Sequence, residues 1–107
     1  MFEYTLYEDL ANEVDIPKAG ITSCPVYKSE RLRGVIFGFA SNEEMTEHTA
    51  SVPAIAQVLE GECTFTLNQE PKTLKTGAWV HMDAHLPHSI IAKTPLKLML
   101  YLLREPK

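Results

Sequence analysis

Alternation restricts this chain more than any other feature. Val35, Phe37 and Phe39 fall on one face of an extended segment, and Cys63, Phe65 and Leu67 alternate with Glu62, Thr64 and Thr66. Leu96, Leu98, Leu100 and Leu102 alternate in the same way with Lys97, Met99, Tyr101 and Leu103. A period of two is the spacing of side chains along a β-strand, whereas a helix needs apolar residues three and four apart. Ala54 to Leu59 is a continuous apolar run, Ala78 to Met82 and Ser89 to Ala92 are short strand-like segments, and Asp83 to Pro87 is a loop. Turn signals separate them: Glu60-Gly61-Glu62, Asn68-Gln69-Glu70-Pro71, Lys75-Thr76-Gly77 and Lys93-Thr94-Pro95. Many short strands with frequent turns predict an all-β sandwich or barrel.

Two segments leave room for helix. Tyr7, Leu10 and Val14 have helical spacing, so a short helix is expected between Tyr4 and Val14, closed by Pro17 and Gly20. Ser41-Asn42-Glu43-Glu44 fits a capping box, which would start a helix over 42–50. That helix would be acidic with little apolar stripe beyond Met45, so the segment is expected to be a loop running into a strand.

The 107 residues suffice for one domain with one core. The net charge is −4, with nine acids and four bases in residues 1–50 and five acids and six bases in residues 51–107. Neither half is the basic stripe that a phosphate backbone requires, so nucleic acid is an unexpected partner. No apolar run approaches the roughly 20 residues that span a bilayer, and Met1-Phe2-Glu3-Tyr4 does not look like a signal peptide. Two cysteines, Cys24 and Cys63, are too few for a disulfide scaffold. A cytoplasmic protein with no membrane contact is expected. Cys63 is expected to be a buried small hydrophobe and Cys24 structural or incidental. Trp79, Phe37, Phe39 and Phe65 are expected first in the core or a dimer contact. Glu43, Glu44 and Glu47 are expected on a solvated edge, as are Lys72 and Lys75.

The chemistry lies in the histidines. His48 stands alone, whereas His81, His85 and His88 fall within eight residues. Imidazole is the commonest metal ligand and the usual acid–base near neutral pH. On a helix the three would share one face, but Pro87 would sit inside it, so a strand, a tight turn and a second strand are expected. The direction of His81 on its strand is left open by the pattern.

Here the chain resembles the small single-domain cupins. Their first motif is Gly, five residues, His-x-His, three or four residues, Glu, six residues, Gly. Their second is Gly, five residues, Pro-x-Gly, two residues, His, three residues, Asn. In this sequence the first register is Asn42, five residues, His48-Thr49-Ala50, three residues, Ala54, six residues, Gly61. The second is Gly77, five residues, Asp83-Ala84-His85, two residues, His88, three residues, Ala92, after a gap of 15 residues, 62–76. Val58-Leu59-Glu60-Gly61-Glu62 also looks like a common cupin phrase. The resemblance implies a cupin-like antiparallel β-barrel, a double-stranded β-helix or jelly roll, with a short N-terminal helical segment. Residues 34–107 would form the barrel core and residues 1–33 an extension packed on it.

A metal-binding cupin draws its ligands from two motif-one histidines, the motif-one glutamate and the motif-two histidine. This chain keeps His48 and His88 but has Ala50 and Ala54 where the other two ligands belong. His85, in the family's glycine position, is the candidate third ligand if its side chain turns inward. The resemblance therefore implies a divalent ion such as Zn²⁺, Ni²⁺, Mn²⁺ or Fe²⁺ at His48 and His88 beside a small-molecule pocket. One alternative is a metal-free binding or sensor barrel whose wall is made small and apolar by Ala50 and Ala54. Another is a metal-independent isomerase or epimerase with His48 or His88 as general base. The resemblance also implies a homodimer.

Overall fold

The computed structural model describes residues 1–105. Nine strands follow a single turn of 3₁₀ helix: β1 (Ile21–Lys28), β2 (Leu32–Phe39), β3 (Glu44–His48), β4 (Ala54–Glu60), β5 (Glu62–Leu67), β6 (Glu70–Lys75), β7 (Trp79–Met82), β8 (His88–Ala92) and β9 (Leu96–Leu103). They form two sheets, one of five strands in the order β1-β2-β9-β4-β7 and one of four in the order β3-β8-β5-β6. Every pairing is antiparallel.

The alternation predicted from sequence decides which face of each strand is inside. Ala54, Ala56 and Val58 of β4, Cys63 and Phe65 of β5, Ile90 and Ala92 of β8, and Leu96 and Leu98 of β9 all contribute to the core between the sheets. A second, smaller cluster lies on the outer side of the five-stranded sheet, where Val14 packs with Val26, Ile36 and Met99. Leu10, Cys24, Leu59 and Tyr101 pack around it. The N-terminal segment thus clips onto the back of the larger sheet.

Turn chemistry fixes the registers. Asn68 and Gln69 both have positive φ, 48° and 72°, giving the two-residue turn whose twist suits a hairpin between β5 and β6. Asn42 has φ 70°, so it does take the left-handed backbone expected of a residue in a glycine position.

Two expectations need correction and a third is narrowed. The helix expected over Tyr4–Val14 shrinks to Leu10–Glu13, a four-residue 3₁₀ turn. Its N-cap, Asp9, makes no side-chain capping bond, and a single uncapped turn has little to sustain it. Of the two places expected for Trp79, the core or a dimer contact, the core is excluded: Trp79 is 59% exposed, because Met82 and Val80 take the inward positions of β7. Glu43 is not merely solvated: its Oε1 accepts a hydrogen bond of 2.9 Å from the Gly20 N–H, tying the start of β1 to the turn before β3.

Candidate functional site

β3 and β8 bring two imidazoles together at the edge of the smaller sheet. Met45 pairs with Ile90, but the next aligned pair is His48 with His88, so β3 spends three residues where β8 spends two. This is a β-bulge, and its effect is local and decisive. Under strict alternation Glu47 would share a face with Met45, and His48 would point the other way. The extra residue turns His48 onto the face of His88, and the ring centroids come to 4.2 Å at an interplanar angle of 59°.

Each ring is oriented by the backbone carbonyl two residues before it. His48 Nδ1 lies 2.9 Å from the Thr46 carbonyl oxygen, and His88 Nδ1 lies 2.9 Å from that of Leu86. A carbonyl only accepts, so both Nδ1 atoms carry a proton, and in a neutral ring so placed it is Nε2 that presents the lone pair. The two environments differ sharply. His48 is exposed at the rim, whereas His88 is buried, with 5% of its surface accessible. Burial pushes the His88 imidazole below its ordinary pKa; the Leu86 carbonyl opposes that shift, and the neighbouring His48 adds to it. Phe65 supports the inner ring, stacked at 6.1 Å and 20°. It reaches His88 diagonally across the β5–β8 pairing, in which Leu67 is directly opposite. The sequence pattern marks Phe65 as a core residue and leaves its contact with His88 invisible.

The other histidines stand apart from this pair. His85 has φ 68° and is exposed, on a turn held by a 2.7 Å bond from its N–H to the Ala50 carbonyl. It adopts the backbone of the glycine it replaces, while its side chain stays in solvent. His81 is exposed on β7 and points away from the barrel interior. Ala54 is buried on the inner face of β4, and Ala50 is half-buried in the loop before it. Among the described residues no three His, Cys, Asp or Glu side chains gather as a metal-holding group. The arrangement is a pair of imidazoles, the inner one backed by Phe65. It can bind a Lewis acid or accept hydrogen bonds.

Other groups are chemically quiet. Cys63 is fully buried, and its thiol is pushed up to about 11 by burial and by Glu62, with Lys93 opposing. No helix among the described residues is long and apolar enough to cross a membrane.

Comparison with known proteins places this geometry. No curated protein matches in sequence. Among solved structures, a cupin superfamily protein from Desulfitobacterium hafniense superimposes with a TM-score of 0.86 at 21% identity, covering 98% of this chain and 99% of its own. A cupin 2 conserved barrel domain protein from Leptotrichia buccalis gives 0.82 at 28% identity, over 89% of this chain and 46% of its own. KdgF from a Halomonas species gives 0.78 at 22%, over 97% and 96%. The family model described as the cupin domain matches residues 35–102, the span that runs from β2 through both histidines to β9. By that match, and by a barrel that follows the motif register on both sides of the histidine pair, the chain belongs to the cupin family.

Proposed function

We propose that this cupin binds a small molecule at the open side of its barrel, and that His48 and His88 hold a divalent transition metal there through Nε2. The observation that carries the reading is the pair of Nδ1–carbonyl bonds, each 2.9 Å, which leave both Nε2 lone pairs free on one face. Metal-ligating histidines characteristically donate their other nitrogen to such an acceptor, which fixes tautomer and orientation. The low proton affinity of buried His88 helps, because no proton must be displaced near neutral pH.

The donor set fits an ion such as Zn²⁺ or Ni²⁺ better than Mg²⁺ or Ca²⁺, since it is imidazole without carboxylate. Fe²⁺ and Mn²⁺ remain within its range. Two protein ligands are one fewer than a catalytic zinc site commonly uses, so water and the bound molecule would complete the shell. His85 is the further imidazole this chain could bring, on rotation of its side chain from solvent. When bound, the ion would polarise an oxygen of the ligand as a Lewis acid. The chain's own residues do the rest: His88 and Phe65 form a rigid wall, and Ala50 and Ala54 leave that side small and apolar.

A second reading is supported by the absence of a third donor among the described residues. In it the barrel works without metal, and the two Nε2 atoms accept hydrogen bonds from hydroxyl or N–H groups of the ligand. Elemental analysis of the untagged protein separates the two. The metal reading expects close to one transition-metal ion per chain in the wild type and loss of it in His48→Ala/His88→Ala. Protein that stays metal-free after incubation with zinc refutes that reading and leaves the hydrogen-bonding pocket.

A further inference from the structure

The barrel side of the five-stranded sheet is uncharged except at one corner. A bulge in β1 sets that corner: Pro25 pairs with Val35, but the next partners are Tyr27 with Gly34 and Lys28 with Arg33. Without the extra residue, Tyr27 would share the face of Pro25 and Lys28 would turn to the back. Instead Val26 and Tyr27 both line a groove of about 530 Å³ behind the sheet, together with Leu32 and Tyr101. Lys28 and Arg33 therefore stand on the opposite, barrel side, in one row with Leu102, Ala54 and Met82. Every other barrel-side position of these five strands is apolar or, at Ser23, an uncharged hydroxyl.

That row lies at the same end of the barrel as the histidine pair. Residues 49–53 carry the chain from His48 to Ala54, and residues 83–87 carry it from Met82 to His88. The two crossings are tied together by the bond from the His85 N–H to the Ala50 carbonyl. The first is also tied to β9, where the Leu103 N–H donates to the Pro53 carbonyl at 2.9 Å. Arg33 is two strands from Ala54, about 10 Å at ordinary strand spacing. Its stem can lie over Leu102 with the guanidinium at the mouth. Lys28 and Arg33 are exposed and directly opposite each other, and among the described residues neither has an ion-pair partner. Like charges so placed repel. Ser29 holds them there, its Oγ accepting from the Leu32 N–H at 3.1 Å across the hairpin turn. Arg104 adds a third cation to this corner through the 2.7 Å bond from its N–H to the Arg31 carbonyl.

On the reading of the barrel as a small-molecule site, we propose that its occupant is an organic carboxylate whose charged group is held by Arg33 and Lys28, across the mouth from the histidine pair. Charge selects an anion, because the two cations face the mouth without a protein counter-charge and an anion between them relieves their repulsion. Geometry selects a carboxylate, because a guanidinium presents paired N–H donors that match its two oxygens. Leu102 and Ala54 lie between the cations and the crossing to His48, so the middle of the molecule is a short hydrocarbon or an aryl ring. The far end, an oxygen or ring edge, meets the imidazoles. Arg33 and Lys28 thus decide which molecules enter, while the histidines decide what happens to them.

A proton–nitrogen titration of the untagged, EDTA-treated full chain tests this, with benzoate and neutral benzamide as probes at fixed pH and ionic strength. Benzoate is expected to shift the backbone signals of Arg33 and Leu102 together with the side-chain signals of His88. It is expected to bind at least tenfold more tightly than benzamide. Arg33→Gln/Lys28→Gln, which changes only exposed side chains, is expected to erase that preference and leave benzamide binding unchanged. His48→Ala/His88→Ala is expected to weaken both probes and keep their ratio. Unchanged binding in that variant would refute the histidine site, while the ratio still decides the carboxylate. Equal affinity of the wild type for the two probes overturns the proposal, as does no binding of benzoate up to about 50 mM. A preference that survives in Arg33→Gln/Lys28→Gln overturns it too. So does benzoate that shifts Arg33 and leaves His88 unmoved, since the cations then hold anions outside the barrel.

Discussion

His88 couples the site to the stability of the barrel. Its folded pKa lies below the ordinary 6.5 because the ring is buried. As pH falls below 6.5, the unfolded chain takes up a proton that the folded chain still refuses, so stability declines. The decline ends once pH has passed the folded pKa, where both states are protonated. Above 6.5 the contribution is fully present. In EDTA-treated protein, the melting temperature of wild type is therefore expected to fall on acidification below 6.5 more steeply than that of His88→Gln. Equal slopes would mean that the ring carries no buried-site penalty.

Two glycines with similar backbone make a second residue-scale contrast. Gly61 has φ 101°, and a Cβ there would run into the Pro95 carbonyl oxygen; Gly77 has φ 96° and open space around it. Gly61→Ala is expected to cost roughly 2–4 kcal/mol, combining left-handed strain with a clash against fixed backbone. Gly77→Ala should cost only the strain, about 1–2 kcal/mol. Urea denaturation of the two variants would show the difference as a shift in midpoint. At this scale the sequence was legible where a residue type and its spacing both spoke. His48, His88 and Asn42 were found that way. The outward direction of His81 and the solvent position of His85 depend on which face a strand or turn presents, and spacing alone does not carry that.

Among the elements, β3 shows how one inserted residue can decide chemistry. Its bulge keeps His48, three residues after Met45, on the face of Met45 and His88; removing Glu47 should restore plain alternation with His48 two residues from Met45 and still opposite His88. The Glu47 deletion is expected to keep the barrel, because β3 is a polar edge strand with little buried surface. In proton–nitrogen spectra of the histidine side chains, His48→Ala is expected to shift the His88 resonances in the Glu47 deletion as it does in the full chain. Loss of that effect would mean that the rings need the bulge itself and not only the face it selects.

Edge strands were also the hardest elements to read. β6, Glu-Pro-Lys-Thr-Leu-Lys, is exposed at every position but Leu74, and its alternation is too weak to mark it as a strand. It forms because β5 offers a hydrogen-bonding edge, and Pro71 is tolerated because the other side is unpaired. β1 is similar, with Pro25 next to a bulge on an outer strand. The central strands β4, β5 and β9, buried on their inner faces, were plain from their apolar pattern. The N-terminal segment misled for the opposite reason. Its helical spacing is genuine, but Tyr7, Leu10 and Val14 obtain their contacts by lying along the sheet rather than by winding.

For the molecule as a whole, alternation and turn density gave the all-β class, but not the order of strands. That order is non-local. The five-stranded sheet joins β2 to β9 and β9 to β4, and no local pattern specifies which strand lies next to which. The cupin motif register supplied the missing constraint, because it fixes where the two motifs must face each other.

The central place of β9 has a consequence for how the protein is made. β2 and β4 leave the ribosome well before β9, yet each has its flank filled by it. Until β9 emerges, the nascent chain carries two bare strand edges in its larger sheet, and its apolar inner face has no closed barrel around it. Assembly of this sheet is therefore held back until translation of the barrel is nearly complete, and the waiting edges are where a chaperone would act.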